Sequence, residues 1–463
     1  MDSTNNNINI DLALNSQEEC LISRYADMVG KATDIPQDLY SKYNVKRGLR
    51  NADGSGVLVG LTTVSSVVGY SMVEQELVPV PGELLYRGID VRAIVKGFQD
   101  EGRFGFEETI FLLLLGRMPS ADELKQFCSA LESVRPLPAG FKEEAIMRMP
   151  SPDVMNKLAR CVLSAYAFDE HADDNSIKNV VRQSISLISR MPTFAVYGYQ
   201  AKAHYFLGQS LHMRVPEPGL STAEHILSLL RPHSAYSRTE AEILDLCLVL
   251  HADHGGGNNS TFTTHVVSSS LTDTYSTIAA AILSLKGPRH GGANLQVSMM
   301  MDDVKANVKN WSSETEVEAY LNKVLDKKAN DGTGLIYGLG HAVYKVSDPR
   351  AEILESKAAQ LVAENKDYAD EFALYRLVAR TGERLLRERG KGFGACVNVD
   401  FYSGLVYKML GIPLDLFTPL FAIGRTPGWT AHRLEELSCN SKIIRPAYKC
   451  VHRGETYVPL ALR

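Results

Sequence analysis

From Asp90 onward the chain is patterned almost entirely for helices. Apolar residues recur at three- and four-residue spacing, broken by Pro and Gly at 116–119, 136–138, 150–152, 216–219 and Pro232. Such a sequence has few choices besides a mostly α fold of packed helices. Only 54–81 departs from it: Val, Thr, Ser and Gly alternate loosely there, which predicts a small hairpin or meander of strands. Upstream, Ser16 and Glu19 have the spacing of a capping box and precede a stripe of Leu21, Ile22, Tyr25, Met28 and Val29, predicting a helix that Pro36 ends. Ser120, and Thr239 with Glu242, are expected to cap later helices; further helical stretches are expected at about 311–330 and 351–390. The first ten or so residues read as a disordered polar tail.

A length of 463 residues suggests two or three domains at about 150 residues each. The 49 basic and 54 acidic residues give a net charge of −5, and no more than two Lys or Arg are adjacent anywhere, which argues against nucleic acid as a partner. No pure apolar run exceeds that of Ile110–Leu115, far short of a membrane span. The N-terminal residues carry neither an early basic group nor an apolar core, so no secretory or transit signal is expected. Seven cysteines, odd in number, scattered and without a C-x-x-C pair, fit a reducing cytoplasm.

Chemistry concentrates where polar residues sit among glycines, because Gly lets backbone approach a ligand closely. The apolar helix 239–250 runs into His251-Ala-Asp-His254-Gly-Gly-Gly-Asn258, and the small-residue helix 275–285 opens into Gly287-Pro-Arg289-His290-Gly-Gly-Ala-Asn294. A third such segment ends in His341, and Asp400 lies in Val-Asn-Val-Asp-Phe-Tyr-Ser-Gly. Taken singly, each is more often a loop or capping residue than a catalytic one. His251, Asp253 and His254 cluster, but the i, i+4 histidine pair of a helical zinc site is absent, so no metal is expected. The glycines near 331–340 lack dinucleotide-loop spacing, and there is neither a nucleophile elbow nor a P-loop.

Together and in this order the segments resemble the citrate synthase family. The resemblance spans nearly the whole chain, from LLYRGIDV and FEETIFLLLLGRMP through HADHGGGNNSTFTTHVVSSSLTDTY, GPRHGGAN, GLGHAVYKVSDPRA and VNVDFYSG to LFAIGRTPGWTAHRLEE and IIRP. It implies a two-domain helical homodimer: a large domain of 1–290 and 406–463, and a small one of 291–405 inserted between. It also implies an acyltransferase of the tricarboxylic acid cycle that condenses acetyl-CoA with oxaloacetate, needing no cofactor because the CoA thioester is itself a substrate. The close relative 2-methylcitrate synthase, which uses propionyl-CoA, is the alternative. In the roles so implied, Asp400 is the base, His290 donates to the thioester oxygen, and His341 polarises the ketone. Oxaloacetate is held by His254, Arg350, Arg425 and Arg445, the last reaching across to the neighbouring subunit. CoA meets Lys345, Lys391 and the backbone from Leu335 through Gly338 to Gly340; Arg289 is a further phosphate contact or a solvated charge. The chain departs from the family pattern at Gly255, where an acidic residue is frequent, and lacks the N-terminal module of the NADH-regulated forms.

Overall fold

The structure, a computed structural model, describes residues 16–51, 55–73, 76–364, 366–390, 395–439, 442–452, 454 and 456–463. Lys391 and the expected polar tail lie outside the described residues. Contacts divide the chain into two compact units, Met1–Gly60 with Arg445–Arg463, and Leu61–Ile444.

The terminal unit contains α1 (Ser16–Ala32) and α2 (Gln37–Lys42). Pro36 sits at the N-cap of α2 and so begins the second helix, whereas the first already stops at Ala32. A cation–ring contact ties in the C-terminal segment, Lys449 Nζ lying 5.7 Å from the Tyr43 ring centre. The stripe Leu21, Ile22, Tyr25, Met28 and Val29 is helical as its spacing predicts, but all five side chains are exposed.

The larger unit opens with an antiparallel sheet in the order β1 (Ser65–Val73), β2 (Glu76–Tyr86), β3 (Ile89–Asp90), with a register shift between Val68 and Tyr70. The remainder is helical: α3 (Val91–Asp100), α4 (Phe106–Leu115), α5 (Ala121–Val134), α6 (Val154–Ala165), α7 (Ile177–Leu207), α8 (Thr222–Leu230), α9 (Arg238–His251), α10 (Asn259–Ser268), α11 (Thr274–Lys286), α12 (Ala293–Asn307), α13 (Glu314–Leu325), α14 (Pro349–Glu364), α15 (Ala369–Glu388), α16 (Val399–Met409) and α17 (Phe417–Ser438). The expected 351–390 helix is two helices, α14 and α15. Ser120 caps α5 in a full capping box. At α9 the cap is Ser237 with Glu240, two residues before the expected Thr239, because Ser237 Oγ accepts from the Glu240 amide at 3.2 Å and Glu240 Oε2 accepts from the Ser237 amide at 2.7 Å.

The core forms around α17, which is buried continuously from Phe417 to Leu434 apart from Thr418. Its sequence, FTPLFAIGRTPGWTAHRL, has no polar stripe to keep wet, which is the pattern of a helix enclosed on all sides. Helix α9 packs beside it with Leu244, Leu246, Leu248 and Leu250 wholly buried, each contributing about 1.5–3 kcal/mol relative to exposure. Gly424 and Gly428 make the contact close. A Cβ on Gly424 would lie 2.9 Å from His251 Cβ, and one on Gly428 would lie 2.4 Å from the Ala252 carbonyl oxygen. The HADHGGG segment is thereby laid against the middle of α17.

Candidate active site

Three connections bring the Gly-rich segments together. The His254 ring centre lies 5.0 Å from that of His341 and 5.5 Å from that of Tyr344, edge-on to both. The His341 loop is held to the sheet, the Gly82 amide donating to Ser347 O at 3.2 Å and the Tyr344 hydroxyl to Glu83 O at 3.2 Å. The same loop is zipped to the segment before α16: Gly340 N donates to Cys396 O (2.8 Å), Asn398 N to Gly338 O (2.9 Å), and Asn398 Nδ2 to Gly340 O (3.0 Å). Gly338 needs its glycine twice over, for φ of +80° and because a Cβ would come within 2.6 Å of the Phe401 ring.

The tautomers of two histidines follow from their partners. His341 Nδ1 accepts from the amides of Val343 (3.1 Å) and Tyr344 (2.9 Å), so its hydrogen resides on Nε2. His290 Nε2 accepts from the Ser260 amide at 3.3 Å and lies 2.9 Å from Ser260 Oγ, so its hydrogen resides on Nδ1. Ser260 is fixed in turn by Trp429 Nε1, which donates to its hydroxyl oxygen at 3.1 Å. Burial, helped by the Arg425 charge, pushes His290 down to about 4, making it a neutral donor near neutral pH. His254 is likewise held well below its ordinary value by burial and the charges of Arg350 and Arg425, and its Nε2 is buried without a partner.

Asp400 stands in the first turn of α16, where Asn398 caps the helix by accepting from the Asp400 amide at 3.0 Å. A helix N-terminus favours an anion by about 0.3–1 kcal/mol. Burial outweighs this: it pushes the carboxyl up to about 6, with Arg350 and Arg425 opposing and Asp348 reinforcing the rise. Its Oδ1 is buried and makes no hydrogen bond.

The two arginines of this region are buried but differently occupied. Arg350 gives its Nε and one terminal nitrogen to Asp348 at 3.0 and 2.7 Å. Asp348 also accepts from the Arg350 amide (3.0 Å) and the Val399 amide (3.3 Å), joining α14 to the start of α16. Arg425 is hydrogen-bonded only through Nε, which donates to His251 O at 2.6 Å; both terminal nitrogens are buried and unpartnered. Desolvation lowers it to about 10, with Asp253 opposing. Arg433, two turns of helix further along, shows what a structural buried arginine does here: Thr274, Ser268, Thr277, Asn175 and the Thr272 carbonyl satisfy all its nitrogens. Arg425 differs in having a fork that faces no acceptor.

The remaining expected residues are less committed. Lys345 Nζ donates to His341 O at 3.0 Å, Leu335 is exposed, Arg289 is exposed, and Arg445 is an exposed residue of the terminal unit. His251 stacks on Phe421 at 4.2 Å with both ring nitrogens buried and unpartnered, and Asp253 turns toward His432 at 3.2 Å, so 251, 253 and 254 do not converge on one point. Sequence reasoning passed over Asp348, although it precedes Pro349-Arg350, and also Ser260 and Asn294. Both polar atoms of the Asn294 amide are buried without partners beside the His290 loop.

The family model for the citrate synthase C-terminal domain matches residues 53–447. Citrate synthase of Acidithiobacillus ferridurans is 35% identical over 396 residues, covering 82% of this chain and 93% of that protein. The 2-methylcitrate synthase of Shewanella oneidensis is 33% identical over 368 residues, covering 79% and 87%. Among solved structures, citrate synthase from Pyrobaculum aerophilum superimposes with a TM-score of 0.72 at 28% identity, covering 88% of this chain and 94% of that one. The ternary complex of Thermoplasma acidophilum citrate synthase with carboxymethyl coenzyme A and oxaloacetate gives a TM-score of 0.73 at 26% identity, covering 90% and 99%. With the family model spanning most of its length and such relatives on either side, the chain belongs to the citrate synthase family.

Proposed function

We propose that the protein condenses acetyl-CoA with oxaloacetate and water to give citrate and CoA. The observation that carries this reading is the unpaired Arg425 fork, a buried guanidinium with two idle donor nitrogens whose charge reaches His254, itself unpartnered at Nε2. A planar, bidentate carboxylate ligand suits such a fork better than a spherical ion does.

In this reading the substrate dianion lies between Arg425, Arg350 and His254, with Arg445 added from a second subunit of a homodimer. Asp400, ionised above about pH 6, removes a proton from the thioester methyl group. As charge builds on the thioester oxygen, His290 donates to it from Nδ1, the tautomer that Ser260 selects. The enolate carbon attacks the ketone of oxaloacetate, whose oxygen receives a hydrogen bond and then the proton from His341 Nε2. Hydrolysis of the resulting thioester releases CoA, whose phosphates would meet Lys345 and Lys391. Residues 291–405 would form a small domain inserted in a large one of 1–290 and 406–463, closing on the substrates to exclude water. A cytoplasmic setting accords with the seven cysteines, which carry no disulfide among the described residues.

CoA release in the presence of oxaloacetate, measured with acetyl-CoA and with propionyl-CoA, tests the reading. Release with acetyl-CoA as the better substrate is expected. Preference for propionyl-CoA would make the enzyme a 2-methylcitrate synthase, the activity named for the Shewanella relative. One methylene is worth about 1–3 kcal/mol in an apolar pocket, so a few pocket residues decide between them.

A further inference from the structure

A second cluster of histidines and carboxylates lies behind the HADHGGG segment, and the condensation chemistry makes no use of it. His265 on α10 and His432 on α17 face each other edge-on, with His265 Nε2 and His432 Nδ1 3.2 Å apart. Their outer nitrogens are both committed to carboxylates: His265 Nδ1 lies 2.7 Å from Glu436 Oε2, and His432 Nε2 lies 3.2 Å from Asp253 Oδ2. A carboxylate only accepts, so each outer nitrogen carries its ring's single hydrogen. The two inner nitrogens of neutral rings then turn lone pairs toward each other, an arrangement that repels unless a cation lies between them.

Glu435 supplies a third ligand to the same point. It follows His432 by three residues and therefore shares its face of α17. Thr63 holds Glu435 Oε1 through its amide at 2.7 Å and its hydroxyl at 2.8 Å, which leaves Oε2 buried, without a hydrogen bond and 3.8 Å from His432 Nδ1. The three atoms lie within 4.8 Å of one another, and among the described residues no other such group of His, Cys, Asp and Glu occurs. Gly256 leaves room beside them, since a Cβ there would stand 3.5 Å from His265 Nε2.

We propose that His265 Nε2, His432 Nδ1 and Glu435 Oε2 bind a divalent first-row metal ion, zinc by ligand type, with Glu436 and Asp253 orienting the two imidazoles from outside. Two imidazoles and one carboxylate are a zinc donor set at about 2.0–2.2 Å, and nitrogens 3.2 Å apart need little movement to reach it. Carboxylates on the remote nitrogens are the usual support for such ligands. The ion would pin α10 and the Gly255–Gly257 turn to α17, a structural role independent of the acyl-transfer reading. Sequence spacing gives no hint of it, because the two histidines are 167 residues apart.

The test uses the full chain, free of any histidine tag, stripped with EDTA and titrated calorimetrically with Zn2+, with Co2+ absorption as a geometric probe. One Zn2+ per chain, a raised thermal midpoint and the ligand-field bands of tetrahedral Co2+ are expected. Glu436→Gln should weaken Zn2+ binding about 10–100-fold. His265→Gln and Glu435→Gln should weaken it further, while circular dichroism reports their fold. Substoichiometric uptake by the stripped parent protein, or uptake that folded His265→Gln and Glu435→Gln leave unchanged, overturns the proposal; the inner nitrogens would then share a proton.

Discussion

Replacing Asp400 by Asn should cost the enzyme its turnover and strengthen its fold, and the two effects share one cause. The carboxyl is raised from the ordinary 3.8 to about 6, chiefly by burial. A group with a raised folded value stabilises the protein fully below its unfolded value, and that contribution disappears as pH rises through the folded value. The shift of about 2 units, at about 1.4 kcal/mol each, sets a ceiling of about 3 kcal/mol that the ligand-free wild type loses between roughly pH 4 and 7. Solvent at the partly exposed side of the residue trims this figure, while the sealed Oδ1 sustains it. Asp400→Asn has no charge to bury, so its advantage over wild type should grow across that window and level off above it. Urea midpoints followed by circular dichroism at a series of pH values measure the difference. A gap that stays constant from pH 4 to 8 would refute burial as the source of the shift. In the same variant kcat should fall by about 10²–10⁴, the range for losing a general base, and wild-type kcat/KM should rise with pH through about 6.

Other substitutions probe the surrounding parts. Arg425→Met removes a fork that no group among the described residues accepts from, so the urea midpoint should hold or rise while KM for oxaloacetate rises about 30-fold or more, the equivalent of about 2 kcal/mol; unchanged KM would remove Arg425 from the substrate site. Asp348→Asn keeps one oxygen for the Arg350 Nε but removes the negative charge and the acceptor shared by the Arg350 terminal nitrogen and the Val399 amide, and should lower both thermal stability and kcat/KM, as melting curves and steady-state rates would show. Gly338→Ala should lower the thermal midpoint, since it adds about 1–2 kcal/mol of left-handed backbone strain to a 2.6 Å clash with Phe401; a midpoint within error of wild type would show that the loop relaxes around the added methyl at no cost.

The helical character of the chain was legible because it rests on local spacing, and so was the short sheet. His254, His290, His341 and Asp400 could be singled out because glycines and small residues flank each in sequence. What selects their chemistry was hidden by distance along the chain. Ser260, which fixes the His290 tautomer, is 30 residues away from it, and Trp429, which fixes Ser260, is 169 residues from that serine. The exposed stripe of α1 marks a different boundary: periodicity predicts which residues share a helix face, but not what that face meets.

The pairing of 338–340 with 396–398 has a mechanical meaning. His341 and Asp400 are far apart in the sequence, yet three short hydrogen bonds splice their loops into one stiff bracket. A displacement of one loop is passed to the other through these bonds, so His341 and Asp400 would move together. Under the proposed function, a ligand that settles against His341 would therefore also shift the Asp400 carboxylate.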